Sequence, residues 1–382
     1  MEEWKEYKLG EVCEVINGRA YKQHELLTEG KYPVLRVGNI FQGNNWYYSD
    51  LELPDDKYCN KGDLLYAWSC GFAPYIWNGG KTIFHYHIWK LVENVNLINR
   101  KFLYYYLIIN TKHFLGGTHG SVMLHLTKRD MENQILKLPS LPTQQKIANI
   151  LSSLDDKIEV NRRINDNLEQ QAQALFEESF INNSTFITTC NKAYLTDIAS
   201  YLNGLAMQKF RPKEGEIGIP VLKIKELGQG GCDASSDLCS SSIDKRYVIN
   251  DGDIIFSWSG TLLVDVWCGG TCGLNQHLFK VSSDKYPQWF IYYWTKYHLA
   301  KFIRIAKDKA VTMGHIKRGD LEVSEVLIPE SSDLEKLNNM IAPIFKAITA
   351  NRIENRNLAT LRDSLLPKLM SGELSVDDVL VD

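Results

Sequence analysis

Apolar residues recur at alternating steps of four and three along two separate stretches of the chain. Ile147, Leu151, Leu154, Ile158, Asn161, Asn165, Leu168, Ala172 and Leu175 make one seam. Leu337, Ile341, Ile344, Ile348, Asn351, Asn355, Leu358, Arg362 and Leu365 make the other, position for position. This spacing belongs to amphipathic helices that bury one stripe against a partner, so two matched stripes in one chain are expected to cover each other. Each helix runs for about 38 residues, roughly 57 Å at the α-helical rise. The Asn residues interrupt both seams near mid-helix, so in an antiparallel pair, the orientation expected here, they meet at the centre, where buried Asn fixes register at some cost in stability. The alternative leaves them facing solvent or another protein. Pro142-Thr143 opens the first helix, and Ser332 with Glu335 has the spacing of a capping box at the second. Pro343 removes a backbone hydrogen bond, which predicts a kink or a helix that begins near it.

Ahead of each seam the pattern changes to short β-like runs bounded by Gly, Asn and Asp. Pro33–Val37 and Asp63–Trp68 are matched by Pro220–Ile224 and Asp253–Trp258, and His87–Leu91 by His277–Val281. Aromatic helix-like stretches follow at Phe102–Ile109 and Phe290–Trp294, so each globular unit reads as α+β. The whole plan is written twice: adding 190 to Gly62-Asp63, Trp68-Ser69, His87, Met123, His125, Asp130 or Pro139 returns the same residue types. Asn17-Gly18 matches Asn203-Gly204 at an offset of 186. The expected division is 1–141 and 193–331 for the globular units, 142–180 and 332–371 for the helices, 181–192 for a polar linker and 372–382 for a tail. A duplicated chain can present two similar surfaces about a pseudo-twofold axis, which suits a dyad-like partner such as duplex DNA.

Composition narrows the class. With 382 residues, 44% hydrophobic and 23% charged, the chain suits two soluble globular domains. The first residues are charged and lack the apolar core of a secretion signal, and the longest apolar runs are too short to span a bilayer, so a cytoplasmic location is expected. Eight cysteines lie scattered without a CxxC pair, against a disulfide framework or zinc module. A net charge of −3 argues against a protein that coats DNA unaided. A local basic patch or partner subunits can still supply the charge.

The segment 154–180, LDDKIEVNRRINDNLEQQAQALFEESF, with LRDSLLPKLMSGEL at 361–374, closely resembles the helices of type I restriction-modification specificity subunits. So do GDLLYAWS and GDIIFSWSG, the NQHLFKV segment, and the paired MLHLTKRDM and MGHIKRGDL. The resemblance covers nearly the whole chain. It implies two pseudo-twofold-related target recognition domains, each reading one half of a bipartite double-stranded DNA site, joined by an antiparallel coiled coil of two long helices. It also implies docking of two DNA adenine methyltransferase subunits, to which restriction translocase subunits can be added. S-adenosylmethionine would bind the methyltransferase partner, and no cofactor is expected in this chain.

Base reading needs Arg or Lys for guanine and Asn or Gln for adenine, set among phosphate contacts. The first candidate cluster is Arg36, Asn39 and Gln42, with Lys223, Lys225 and Glu226 in the second half. The second is the turn after the paired Trp-Ser: Ser69, then Ser259 and Thr261, with Trp68 and Trp258 expected as core anchors. The third is the loop carrying His119, Ser121, Lys128 and Arg129, matched by Lys307, Lys309, Lys317 and Arg318. Glycine, hydroxyls and basic residues before a helix start make that loop a candidate anion site. Gln276 joins the set through Asn275-Gln276-His277, although His85 and Tyr86 stand at the corresponding places and only His87 returns.

Catalytic signatures are missing. No Pro-Pro occurs, so the [DNS]PP[YFW] tetrapeptide of amino-methyltransferases is absent. Gly80-Lys81-Thr82 lacks the glycine a P-loop needs, having Tyr75 there. His85 with His87, His113 with His119, and Cys268 with Cys272 lack a metal-binding frame, so no metal is expected. Ser282–Lys285 imitates SxxK in a polar turn without a supporting triad. The favoured reading is a non-enzymatic specificity subunit; the alternative is a duplicated coiled-coil scaffold for proteins, without DNA reading.

Overall fold

The computed structural model describes residues 3–41, 43, 45–69, 71–115, 126–182, 190–308 and 314–379. They fall into two units, Met1–Asp156 with Thr360–Asp382, and Lys157–Ala359. Both are mixed α+β.

In the first unit an antiparallel sheet has the order Cys13–Asn17, Ile88–Glu93, Leu64–Ala67, Ala73–Ile76. A smaller sheet has the order Tyr47–Ser49, Tyr32–Leu35, Thr82–Phe84, Tyr58–Cys59, with a parallel central pair. Lys5–Lys8 pairs with Ile135–Leu138, and the aromatic stretch lies in a helix, Arg100–Leu115. The run Leu64–Ala67 is buried at every position rather than at alternate ones. It is a wall between two cores: Leu64 and Tyr66 face Phe102, Leu103 and Leu107, while Leu65 and Ala67 face Leu35, Phe84 and Ile88. A strand covered on both faces must be apolar throughout.

The second unit repeats this element by element. Its larger sheet has the order Ser200–Asn203, Leu278–Ser282, Ile254–Ser257, Leu263–Val266, and its smaller one Leu238–Cys239, Ile219–Leu222, Cys272–Leu274, Val248–Ile249. Cys190–Tyr194 pairs with Glu325–Pro329, and the aromatic helix is Gln288–Asp308. Ile254–Ser257 is again the wall, Phe256 facing one core and Ile255 the other. The repetition reaches single atoms. Trp77 Nε1 donates to the Gly80 carbonyl at 2.8 Å and Trp267 Nε1 to that of Gly270 at 2.6 Å. The Asp63 and Asp253 carboxylates accept from the Asn60 and Asn250 amides at 2.8 and 2.9 Å. Those turns need φ of +95° at Gly62 and +91° at Gly252, which favours glycine at both.

The two long helices are Leu141–Phe180 and Ser331–Ser371, of 40 and 41 residues. Within the second unit they run antiparallel. Asn161 Nδ2 donates to Asn355 Oδ1 at 2.9 Å and to Glu354 Oε2 at 2.6 Å. Asn351 Nδ2 donates to Asn165 Oδ1 at 2.9 Å, and Asn165 Nδ2 to the Ile348 carbonyl at 3.2 Å. Within the first unit the opposite ends also run antiparallel: Ile147 and Leu151 share a core with Leu366, Leu369 and Met370. There Asp155 accepts from Arg362 Nη1 at 2.6 Å and from the Tyr105 hydroxyl at 2.5 Å. Of the seam positions, Leu151, Ile158, Ile341 and Ile348 are buried, whereas Leu154, Leu168, Ile344 and Leu358 are half-buried. Phe176 and Phe345, one step off the seam, are buried beside Tyr293. Each helix packs against a sheet and aromatic helix as well as its partner, so its apolar face is wider than a two-stranded seam.

In the second unit the helix is pinned to the sheet by charge. Arg352 donates through both terminal nitrogens to Asp265 at 2.8 and 2.6 Å, and Arg356 likewise to Asp251 at 2.7 and 2.9 Å. Burial works against the Arg352 charge, but the hydrogen bonds and charge of Asp265 outweigh it and hold the guanidinium proton more tightly than usual.

Two expectations at the helix ends are corrected. The second helix starts at Ser331, with the Glu330 carbonyl accepting from the Asp333 and Leu334 amides at 3.0 and 2.9 Å, so Ser332 lies inside the first turn and does not cap it. The same helix runs on through Pro343, which is exposed, so it does not begin there; the proline has no N–H to give the Asn339 carbonyl. No helix among the described residues is long and apolar enough to cross a membrane.

Replacing Asn165 with Ala removes two hydrogen bonds and leaves the Asn351 amide without its partner, which is expected to cost about 1–3 kcal/mol in urea unfolding. A loss below about 0.5 kcal/mol would show that water serves these amides as well as Asn165 does.

Candidate nucleic-acid interface

In both units a strand of the smaller sheet runs directly into a short helix, and a basic residue stands at the junction. In the first unit it is Arg36, between Tyr32–Leu35 and Val37–Phe41. Its backbone amide donates to Asn39 Oδ1 at 3.0 Å, while its guanidinium lies 4.3 Å over the Tyr47 ring and donates to the Asn45 carbonyl at 2.9 Å. Arg36 Nε is buried with no hydrogen-bond partner among the described residues. In the second unit the junction residue is Lys223, whose amide donates to Glu226 Oε2 at 3.2 Å and whose ammonium is held by Asp237. The structural equivalents are therefore Arg36 with Lys223 and Asn39 with Glu226. Asn39 is buried and closes the helix turn, the position of a fold-making rather than an outward-facing group. Lys225 lies further along, donating to Ser235 Oγ at 2.8 Å.

The Trp-Ser turn and the basic loop come together in the second unit. The Gly260 amide donates to the Gly314 carbonyl at 3.0 Å and the Ile316 amide to that of Trp258 at 3.1 Å, zipping Ser259 against His315. Trp258 stacks on Phe279 and donates through Nε1 to Asn203 at 3.0 Å, as an anchor does. Ser259 is buried and its hydroxyl lies 3.1 Å from His277 Nδ1, so it fixes the imidazole. Thr261 and Lys307 are exposed beside a cavity of about 280 Å³ that Gly314 also lines. In the first unit Trp68 stacks on Trp89 and donates to the Tyr86 carbonyl at 2.8 Å, with Ser69 half-buried next to it. There burial, then His87 and Arg36, push the His85 pKa down to about 4, leaving that ring neutral at pH 7. His119, Ser121 and Lys309 lie outside the described residues, as do Gln42, Met123, His125 and Met313.

The short helices after the two loops, Lys128–Glu132 and Arg318–Glu322, begin with their own carboxylates in place. Asp130 accepts from the Thr127 hydroxyl at 2.6 Å, and Asp320 accepts from the Lys317 amide at 2.8 Å. A phosphate on the helix-start amides would meet these carboxylates, so the expectation of an anion held by backbone N–H groups gives way to one of side-chain contacts. Arg129, Lys317 and Arg318 are exposed, and Lys128 is half-buried near Glu132.

One cleft lay beyond the sequence reading. It has a volume of about 340 Å³ and is lined by Gln208, Arg211, Lys223, Asp237, Gln276 and His277. Its missed members sit in Gln-Lys-Phe-Arg-Pro-Lys, 208–213, where three basic residues flank one aromatic in a chain of net charge −3. That local contrast with composition was the available signal. Among the described residues no group of three or more His, Cys, Asp or Glu is placed to hold a metal ion.

Residues 1–170 match the family model of the type I restriction modification DNA specificity domain. The type I restriction enzyme MjaIX specificity subunit of Methanocaldococcus jannaschii is 29% identical over 308 residues, 73% of this chain and 70% of that one. The HindI specificity subunit of Haemophilus influenzae is 22% identical, covering 98% of this chain and all of its own. The fold is similar to the crystal structure of a type I restriction-modification S subunit from M. genitalium, with a TM-score of 0.61, 16% identity and 96% coverage of both chains. Residues 1–170 thus carry the type I restriction modification DNA specificity domain, and over nearly its whole length the chain is similar to type I restriction-modification specificity subunits.

Proposed function

We propose that this chain is the non-catalytic subunit that reads an asymmetric bipartite site in double-stranded DNA, one half-site per repeated unit. In this reading its long helices dock two DNA adenine methyltransferase subunits, and restriction subunits join the same complex. S-adenosylmethionine belongs to the methyltransferase. The observation that carries the reading is a scaffold repeated to the level of single hydrogen bonds while the polar residues on it differ, as at the exposed Tyr86 and the half-buried Gln276. Two frames of one shape with two sets of side chains suit two different half-sites.

Co-expression with the cognate methyltransferase subunit, followed by mapping of N6-methyladenine in host DNA, is expected to return one split motif with an unread gap. Methylation without a motif, or at one contiguous short site, would count against bipartite reading.

A helix of 40 residues is about 60 Å long, more than one B-DNA turn of about 34 Å, which supports a spacer role for the helices. Inserting one heptad into both should lengthen the gap by about three base pairs, since seven residues add about 10 Å, and leave both half-sites unchanged. Changed half-sites would refute the spacer role.

The net charge of −3 favours the scaffold reading, and salt separates the two. Affinity of the complex for its site should fall steeply with salt, with a log–log slope that shrinks by about one for each of Lys128, Arg129, Lys317 and Arg318 changed to Ala. A response to salt that is flat supports a protein scaffold.

A further inference from the structure

The segment between Leu205 and Ile219 in the second unit is seated firmly and presents charge outward. Met207 is its anchor, buried with Val221, Cys239 and Ile243. The Phe210 amide donates to the Met207 carbonyl at 2.9 Å, and the Ser240 amide to the Phe210 carbonyl at 2.7 Å. Gln208, Lys209, Phe210, Arg211 and Lys213 are all exposed. The side chains of Lys209, Arg211 and Lys213 form no ion pair with a described residue. The nearby Glu216 carboxylate is occupied by hydrogen bonds, accepting from the Lys213 amide at 2.9 Å, the Ser240 hydroxyl at 2.5 Å and the Ser241 amide at 2.8 Å.

Across the cleft stands Gln276, its Nε2 3.4 Å from His277 Nε2, on a ring that Ser259 fixes from the other side. Ser259 belongs to the turn that is zipped to residues 314–316, just ahead of Lys317 and Arg318. Lys223, the obvious cation in the cleft, is neutralised by Asp237. The charge and hydrogen-bonding capacity left over belong to Arg211, Gln208 and Gln276. Among its described residues the first unit has no such arrangement: between Arg19 and Tyr32 the chain closes on itself through the Arg19–Glu25 pair at 2.7 Å, and Tyr86 stands where Gln276 does.

We propose that the second unit reads its half-site through this cleft, Arg211 and Gln276 bonding base edges and Lys209 and Lys213 meeting the flanking phosphates. The proposal rests on the DNA-reading function above. A guanidinium matches guanine O6 and N7, and a carboxamide matches adenine N6 and N7, so the half-site contains purines contacted in the major groove. The first half-site is read with different groups.

The test uses the full chain in complex with its methyltransferase subunits. Methylome mapping of Arg211→Ala and Gln276→Ala should each give a motif degenerate at one position of one half-site, with the other half-site intact. On a panel of duplexes carrying single base-pair changes, discrimination at that position should fall from about tenfold or more to near parity. Lys209→Ala should weaken binding to all sequences alike and reduce the salt slope by about one. Both Ala variants returning the wild-type motif, with every position still discriminated on the duplex panel, overturns the assignment. If methylation by a variant is too weak to map, the panel decides: parity at one position supports the cleft, and full discrimination overturns it. A wild-type complex without any split motif is a separate result, which removes the DNA-reading function itself.

Discussion

The helical layer of the second unit depends on one constraint: the buried amides of Asn161 and Asn165 must find their half-buried partners Asn355 and Asn351. An apolar seam alone tolerates sliding by a heptad, because Leu meets Ile or Val about equally well in several registers. Asn161 against Asn355 and Asn165 against Asn351 do not tolerate it, since a slipped helix would press each amide against hydrocarbon with its bonds unmade. The amides lose some burial energy that Leu would have given and exclude the wrong alignments. Arg352 and Arg356 then lock the same helix to the sheet, so the amide register also fixes where the second unit's strands stand.

Much of this frame was legible in the sequence, and the reason is periodicity. Heptads announce helices, Gly-Asp turns bound the strands, and an offset of 190 makes each half a check on the other. Period reports which face is covered and not by how many neighbours, so Phe176 and Phe345 were left off the seam although both are buried. A run such as Leu64–Ala67 looks only apolar; that it separates two cores appears when both faces are seen. Helix starts were less legible, because Ser332 and Glu335 have capping spacing by composition while Glu330 takes the position in space.

The candidate contacts were harder to read for a related reason. A polar residue in a short list of base-reading types can equally serve the backbone beside it, and spacing does not separate the two. Asn39 closes a helix turn, Ser259 holds an imidazole and Lys223 is paired with Asp237. Lys209, Arg211 and Lys213 escaped notice because they belong to no motif and have no counterpart in the other half.

Gly18 and Gly204 lie where the chain crosses the end of its neighbouring strand, and a Cβ on either would come within 2.2 Å of the carbonyl oxygen of His85 or Asn275. The backbone beneath residues 85–86 and 275–276 is thus clamped by a crossing that admits no side chain, whatever stands above it. The side chains at 86 and 276 can therefore be exchanged without disturbing the path of the chain that carries them, whereas Asn275 is buried and its Oδ1 accepts from the His277 amide at 3.3 Å. Under the proposed reading, such a support would let residues 86 and 276 change with the half-site on an unchanged mount.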